Sequence, residues 1–350
     1  MAYTTIDDPS IYFDIKNYTQ SGSGNDGDDV TLTMDNCSLI WVKNRSYANG
    51  HCIFDEVRGG TKLLAANSTS AVETVGGGMT FGDSSSTIGN DSTGYGFNNR
   101  VGDNYVAWHW AGGTTSGKST SGETITPSGY SIDATSGVGV FTWSGTGSNG
   151  TITHGLGGDV GKGMMIVKQL NSTAGWQVYH QGSGATHTWY FNSTAVPDDS
   201  DTVWNDTAPT SSVFTLGTNT GTNASGSTYV GYVFAPKQGF SKFGTYEGNG
   251  DADGTFVYTG FKPKMIICKS IDSTAGSYII PSNTDWANGD TYYAYVYSST
   301  TESNGAFVDF HSNGFKLRKN DDINNAETYV YMAFAEAPFV NSNGVPCTAR

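Results

Sequence analysis

Three apolar runs in this chain end in a lysine, and the same residues recur at matching distances around each. The runs are Ile40-Trp41-Val42-Lys43, Met165-Ile166-Val167-Lys168 and Ile266-Ile267-Cys268-Lys269. A glycine follows every lysine at one fixed offset, as Gly50, Gly175 and Gly276. Upstream, an aromatic precedes a Gly-x-Gly turn: Tyr18 before Gly22 and Gly24, Trp143 before Gly145 and Gly147, Tyr246 before Gly248 and Gly250. From that aromatic to the lysine the distances are 25, 25 and 23 residues. From the lysine to a second strand, starting at Tyr105, Tyr229 and Tyr329, they are 62, 61 and 60. Agreement over spans this long marks a tandem array of three homologous units.

The period limits what such units can be. Lysine to lysine it is 125 and then 101 residues. Solenoid units of about 20–50 residues cannot bury a core alone, whereas units of roughly 100 residues can. The expectation is three domains in series: residues 1–113, a Gly/Ser/Thr-rich linker over 114–129, residues 130–239, and residues 240–350 with a C-terminal tail. The linker reads as flexible or surface-packed.

Each domain reads as an antiparallel β-sandwich, so the fold class is all-β with three tandem modules. Charged residues are only 14% of the chain and 47 of its residues are glycine, which suits many hairpin turns. The closing segments Tyr105 to Ala111, Tyr229 to Ala235 and Tyr329 to Ala335 separate large apolar residues from a mixed set at period two. Trp108, Tyr232 and Met332 belong to the large set and are expected on the core face. After two of the lysines the turn is spelled identically, Ser172-Thr173-Ala174-Gly175 and Ser273-Thr274-Ala275-Gly276, as a short hairpin requires.

Charge narrows the partners. The formal net charge is −14, and the 18 lysines and arginines form no dense cluster. Neither nucleic acid nor an anionic membrane surface is therefore expected as a partner. The first residues, Met1-Ala2-Tyr3-Thr4-Thr5-Ile6, carry no basic segment and no apolar run, so no secretory signal and no membrane insertion are expected.

Constellations for catalysis or metal binding do not assemble. The four cysteines are irregularly spaced, and a Cys37–Cys52 bridge is left open by the sequence. None of the six histidines has metal-site spacing. Asn249-Gly250-Asp251-Ala252-Asp253-Gly254 starts like a calcium loop, but Gly260 stands where the bidentate glutamate belongs, so a solvated acidic turn is expected, as at Asp26, Asp28 and Asp29. No nucleophile elbow or P-loop occurs, and isolated acids such as Glu56, Asp159, Asp285 and Glu302 have no repeated partner. The expectation is a protein that is not an enzyme and takes no cofactor and no metal. One binding feature remains: Trp189, Tyr190, Trp204 and Trp286 lie outside the repeated core motifs. They are either rings that stack on sugars or core residues of less conspicuous strands.

Several segments resemble a repeat in virion proteins of tailed bacteriophages, those of marine cyanophages above all. The most specific is Tyr329-Val330-Tyr331-Met332-Ala333-Phe334-Ala335-Glu336-Ala337-Pro338-Phe339-Val340, running on to Gly344-Val345-Pro346. Phe240-Ser241-Lys242-Phe243-Gly244-Thr245-Tyr246 and Gly254-Thr255-Phe256-Val257-Tyr258-Thr259-Gly260-Phe261-Lys262-Pro263 are similar as well. Ser277, where the second unit has Trp176, departs from the pattern. The resemblance implies a lectin-like sandwich in a tail-fibre-like structural protein located on the virion. Its partners would be other virion proteins, further copies of itself and host-surface glycans. A capsid decoration or head-fibre protein is the alternative.

Overall fold

Apolar residues at nearly every position suit a strand covered on both faces, and the lysine-ended runs form such strands: Cys37–Asn44, Met164–Gln169 and Phe261–Ser270. A computed structural model, which describes residues 3–23, 26–282 and 291–347, shows each flanked in the same way. On one side runs the closing strand, Asn104–Ala111, Thr228–Phe234 or Thr328–Pro338, and beyond it the opening strand, Phe13–Thr19, Val138–Ser144 or Ser241–Glu247. On the other side lies the return strand, His51–Asp55, Gln177–His180 or Tyr278–Pro281, followed by a fourth and a short fifth strand. Register repeats along with order: Lys43 stands opposite Val106, Lys168 opposite Val230 and Lys269 opposite Val330. All pairings are antiparallel, so the protein is all-β.

A smaller sheet covers one face of each large sheet. It contains Val30–Leu32 and Ser86–Ile88 in the first unit, Gly150–Thr153 and Val213–Leu216 in the second, and Phe256–Tyr258, Gly314–Leu317 and Val308–His311 in the third. Between the layers lie separate apolar cores, built for instance on Ile40, Phe54 and Phe97, on Phe141, Trp143 and Phe214, and on Ile266, Phe310 and Phe315.

The opposite faces of the large sheets meet one another, which corrects the expectation of domains in series. Trp41, Trp108 and Trp110, then Ile166, Tyr232 and Phe234, then Ile267, Met332 and Phe334 belong to one continuous cluster drawn from all three units. At its centre the equivalent rings converge: Phe334 lies 5.8 Å from Trp110 and 5.9 Å from Phe234. Trp108, Tyr232 and Met332 are buried as expected, but in this shared core. The mixed set on the same strands, such as Tyr105 and Ala107, is buried as well, inside the first sandwich. Both faces of the closing strand are therefore interior.

The seams between units repeat cyclically. Each buried lysine donates to a carbonyl of the preceding unit around the ring: Lys43 to Ser299 O at 3.4 Å, Lys168 to Thr69 O at 3.3 Å and Lys269 to Ser193 O at 3.4 Å. Beside them, His51 Nε2 meets Tyr295 O at 3.0 Å and Trp176 Nε1 donates to Ala65 O at 3.1 Å. Ser277 holds the third such position, and its buried hydroxyl finds no partner among the described residues. The start of the chain closes the ring: Ile6 enters the shared core, and Tyr3 donates to Gly260 O in the third unit at 2.6 Å.

Candidate functional site

Of the four aromatics singled out in the sequence, two are core residues, and the sugar-stacking role is corrected for them. Trp189 points from the fourth strand His187–Tyr190 into the shared core and is 2% exposed. Trp204 ends a single helical turn, Asp201–Trp204, and is fully buried beside Tyr179 in the second sandwich. Neither presents a ring face to a ligand. Tyr190 is half-buried, and a side chain at Gly175 would run into its ring at 2.6 Å. Tyr297 crowds Gly276 in the same manner, which accounts for two of the repeated glycines. Trp286 lies outside the described residues.

Two carboxylates of the acidic turns, Asp253 and Asp28, are held by protein groups. Asp253 pairs with Lys316 at 2.6 Å, and this contact holds its carboxyl below the usual range while the side chain stays 81% exposed. Asp28 accepts from the Ser21 hydroxyl at 2.7 Å. Among the described residues no group of three or more His, Cys, Asp or Glu is placed to hold a metal ion. His51 and His180 are seam residues: His180 Nε2 lies 3.0 Å from Tyr331 O while its Nδ1 accepts from Gly182 N at 2.9 Å. Burial pushes the His180 imidazole down to about 4, so it stays neutral near neutral pH. Cys37, Cys52, Cys268 and Cys347 are free thiols, and no Cys37–Cys52 bridge forms.

The open site is a groove of about 640 Å³ on the third unit. Its walls are the opening strand Ser241–Glu247, which is the edge of the large sheet, and the strand Phe256–Tyr258, which is the edge of the small one. Alternation along the short strand sends Val257 inward to the sandwich core and turns Phe256 and Tyr258 outward, 44% and 49% exposed. Lys242 bridges the two walls by donating to Tyr258 O at 2.7 Å, with its amine 5.2 Å from the centre of the Tyr258 ring. Partial burial lowers the Lys242 amine from its ordinary range. Gly244 lies under Tyr331, whose ring and hydroxyl would stand within 2.8–3.0 Å of any Cβ there. Burial raises the Tyr331 phenol, so it remains a neutral donor.

The backbone is part of the site. The Gly248 amide bonds inward to Glu327 O at 2.9 Å, so alternation turns the backbone groups of Phe243, Thr245 and Glu247 toward the groove. Gln181 donates to Phe243 O, and Thr255 donates to Glu247 O at 2.6 Å. The N–H and C=O of Thr245 meet no partner among the described residues. Aromatic faces, one amine and an unpaired peptide group equip this groove to hold a ligand by stacking and hydrogen bonding.

Phe256 and Tyr258 were missed in the sequence, although a signal exists. Val257 faces Phe315 as Ile152 faces Phe214, so Phe256 and Tyr258 stand where the second unit has Thr151 and Thr153. Aromatics replacing hydroxyls on the outward side of an edge strand mark a change of surface.

An all-β protein with three large sheets around one core and an open groove on the third unit is the class that the fold defines. The chain belongs to DUF7483, a domain of unknown function, whose match runs over residues 8–338 and takes in all three sheets. No curated protein matches the sequence.

Proposed function

We propose that this chain is a structural protein of a tailed-phage virion, a tail-fibre or adhesin component that attaches to host-surface glycans and is not an enzyme. The observation that carries this reading is the cyclic burial of three sheets in one aromatic core. Such a frame is stiff, and it leaves a surface of hydroxyls, amides and a few rings free to make contacts. Tyr95, 37% exposed on the first unit, is a ring available to a sugar there, whereas Tyr47 carries the Arg100 guanidinium on one face at 3.7 Å. Several copies per virion would turn weak contacts of this kind into avid attachment. The resemblance to phage virion repeats supports the same reading.

A second reading, a capsid decoration or head-fibre protein, is favoured by the groove on the third unit, whose free strand edge suits a protein neighbour more than a sugar. Immunogold labelling of intact virions against this chain, with adsorption measured after antibody blocking, separates the two. Labelled tail fibres and lost adsorption support attachment. Labelled capsids with normal adsorption and fragile heads select the decoration protein. A virion without the chain overturns both.

A further inference from the structure

The second unit fills the groove that the third leaves open, and it fills it with polypeptide. Gly129–Asp133 adds to the outer edge of the opening strand Val138–Ser144, in antiparallel register from Gly129 opposite Thr142 to Asp133 opposite Val138. Just ahead, the amides of Thr124 and Ile125 donate to Thr151 O at 2.9 and 3.0 Å, on the edge of the small sheet. Ile125 sinks to 3% exposure in the second sandwich core. Lys118 reaches the Thr153 hydroxyl at 2.6 Å and pairs with Glu123. The expected linker, residues 114–129, thus packs on the small-sheet edge and runs into the strand Gly129–Asp133 on the large-sheet edge of the unit that follows it.

In the third unit the same edges carry no added strand: side chains of Gln181 and Thr255 take the Phe243 and Glu247 carbonyls, and Thr245 is left between them. Thr151 and Thr153 correspond to Phe256 and Tyr258, and Val138–Ser144 corresponds to Ser241–Glu247. The connection leading in is only Ala235 to Phe240, a tight turn in which Phe240 and Ser241 both donate to Lys237 O. It has no residues to spare for a covering strand. What remains is the open groove, the unpaired Thr245 peptide group and two exposed rings.

We propose that this groove receives an extended segment of another polypeptide chain, laid antiparallel along Ser241–Glu247 as Gly129–Asp133 lies along Val138–Ser144. The segment pairs its backbone with Thr245 and sets apolar side chains against Phe256 and Tyr258, which take the place of the contacts made by Thr124 and Ile125 in the second unit. Backbone pairing gives affinity and the two rings give preference, as in other strand-addition sites. The inference concerns the chemistry of the groove alone and does not depend on where the protein resides.

The test is selection of a displayed library of random linear peptides on the full chain. Enriched synthetic peptides are then titrated against the natural chain, Thr245→Pro and Thr245→Ala. Proline at an outward edge position removes one N–H without touching the ladder to the closing strand. Peptides should bind Thr245→Ala as they bind the natural chain and Thr245→Pro about tenfold or more weakly, the loss expected for one buried hydrogen bond. In the natural chain, bound peptide should slow hydrogen exchange at the Thr245 amide, which keeps the test valid if Thr245→Pro folds poorly. Failure to enrich any peptide overturns the proposal, as do peptides that leave Thr245 exchange unchanged. Binding on a glycan array that is lost in Phe256→Ala and Tyr258→Ala but kept in Thr245→Pro would assign the groove to carbohydrate instead.

Discussion

The ring of Tyr246 lies parallel to that of Tyr329, with 4.9 Å between centroids and 5° between planes. The same pair recurs as Tyr18 on Tyr105 at 5.3 Å and 9°, and as Trp143 on Tyr229 at 5.6 Å and 19°. In each unit the lower ring is the first tyrosine of the closing strand, and its hydroxyl accepts a backbone amide from the loop before it. The donors are Arg100 at 3.1 Å, Ala224 at 2.8 Å and Asn325 at 3.1 Å. Opening strand, closing strand and loop are thereby tied at one point.

That tie can be separated into its parts. Tyr329→Phe keeps the stack and leaves the Asn325 amide unpaired, so it should cost about 1–2 kcal/mol. Tyr329→Ala removes the stack as well and should cost roughly 3–5 kcal/mol. Urea denaturation of the two variants gives the comparison, and equal losses would mean that the ring contributes nothing.

Because the three sheets share one core, unfolding should be a single cooperative event. Calorimetry of the natural chain is expected to show one transition whose calorimetric and van't Hoff enthalpies agree. Trp108→Ala should lower the whole transition, with a loss of about 3–5 kcal/mol. Three separable transitions, only one of them moved by the substitution, would contradict the shared core.

The repeat, the strands and the burial of Trp108, Tyr232 and Met332 could be read from the sequence, since spacing and period two report which residues are large and how often they recur. The shared core could not. A strand buried on both faces is apolar throughout, and nothing in Ile40 to Lys43 says whether its second cover is a sheet of the same unit or of the next. The seams were hidden for a related reason. His51, Trp176 and Ser277 occupy one repeated position, but each meets a different neighbour, so the residue type is not kept. Trp189 and Trp204 misled because they lie outside the repeat while still packing in its cores.

One further repeated element is legible in the sequence. Asn98, Asn223 and Asn324 each stand 55 residues after the lysine of their unit. All three are fully buried. Asn223 donates to Ser148 O at 2.7 Å and Gly217 O at 2.9 Å while accepting from Thr146 N at 2.9 Å. Asn324 clamps its own Gly-x-Gly turn, donating to Asp251 O at 2.7 Å and Lys319 O at 3.0 Å. Alanine at either position should cost roughly 2–3 kcal/mol by orphaning these groups. Aspartate should cost more, because it sets a carboxylate against the carbonyls. Chemical denaturation of the four variants checks both statements, and a tolerated aspartate would refute the clamp.

The thiols give a direct chemical check on the fold. Burial holds the Cys37 and Cys268 thiols up at about 12, so neither forms the reactive thiolate near neutral pH. A thiol reagent at neutral pH should label Cys347 first in the native protein, since it is the least buried of the four. Complete labelling of all four should require denaturant and no reductant. Two thiols recovered only after reduction would restore a Cys37–Cys52 bridge.

The lysines at the seams make stability depend on alkaline pH in a way that their removal should expose. Burial lowers Lys43, Lys168 and Lys269 to about 8 in the folded chain, against 10.5 for a free lysine. Below pH 8 both states hold these protons and the cost of burying the charge is constant. Between pH 8 and 10.5 the unfolded chain holds more of them, so this contribution to stability rises with pH, by at most about 1.4 kcal/mol per unit for each lysine. Cys37 and Cys268 act in the opposite direction: their folded values lie above the free value of 9.0, so above that pH the unfolded chain releases protons that the folded chain keeps. The two effects oppose each other in the natural chain. Relative to the triple variant Lys43→Met, Lys168→Met, Lys269→Met, the natural chain should therefore gain stability steadily from pH 8 to 9.5, because the variant keeps the thiol effect and lacks the lysine one. Urea titrations at four or five pH values give both curves, and parallel curves would mean that the three amines are not held in the low-dielectric seams.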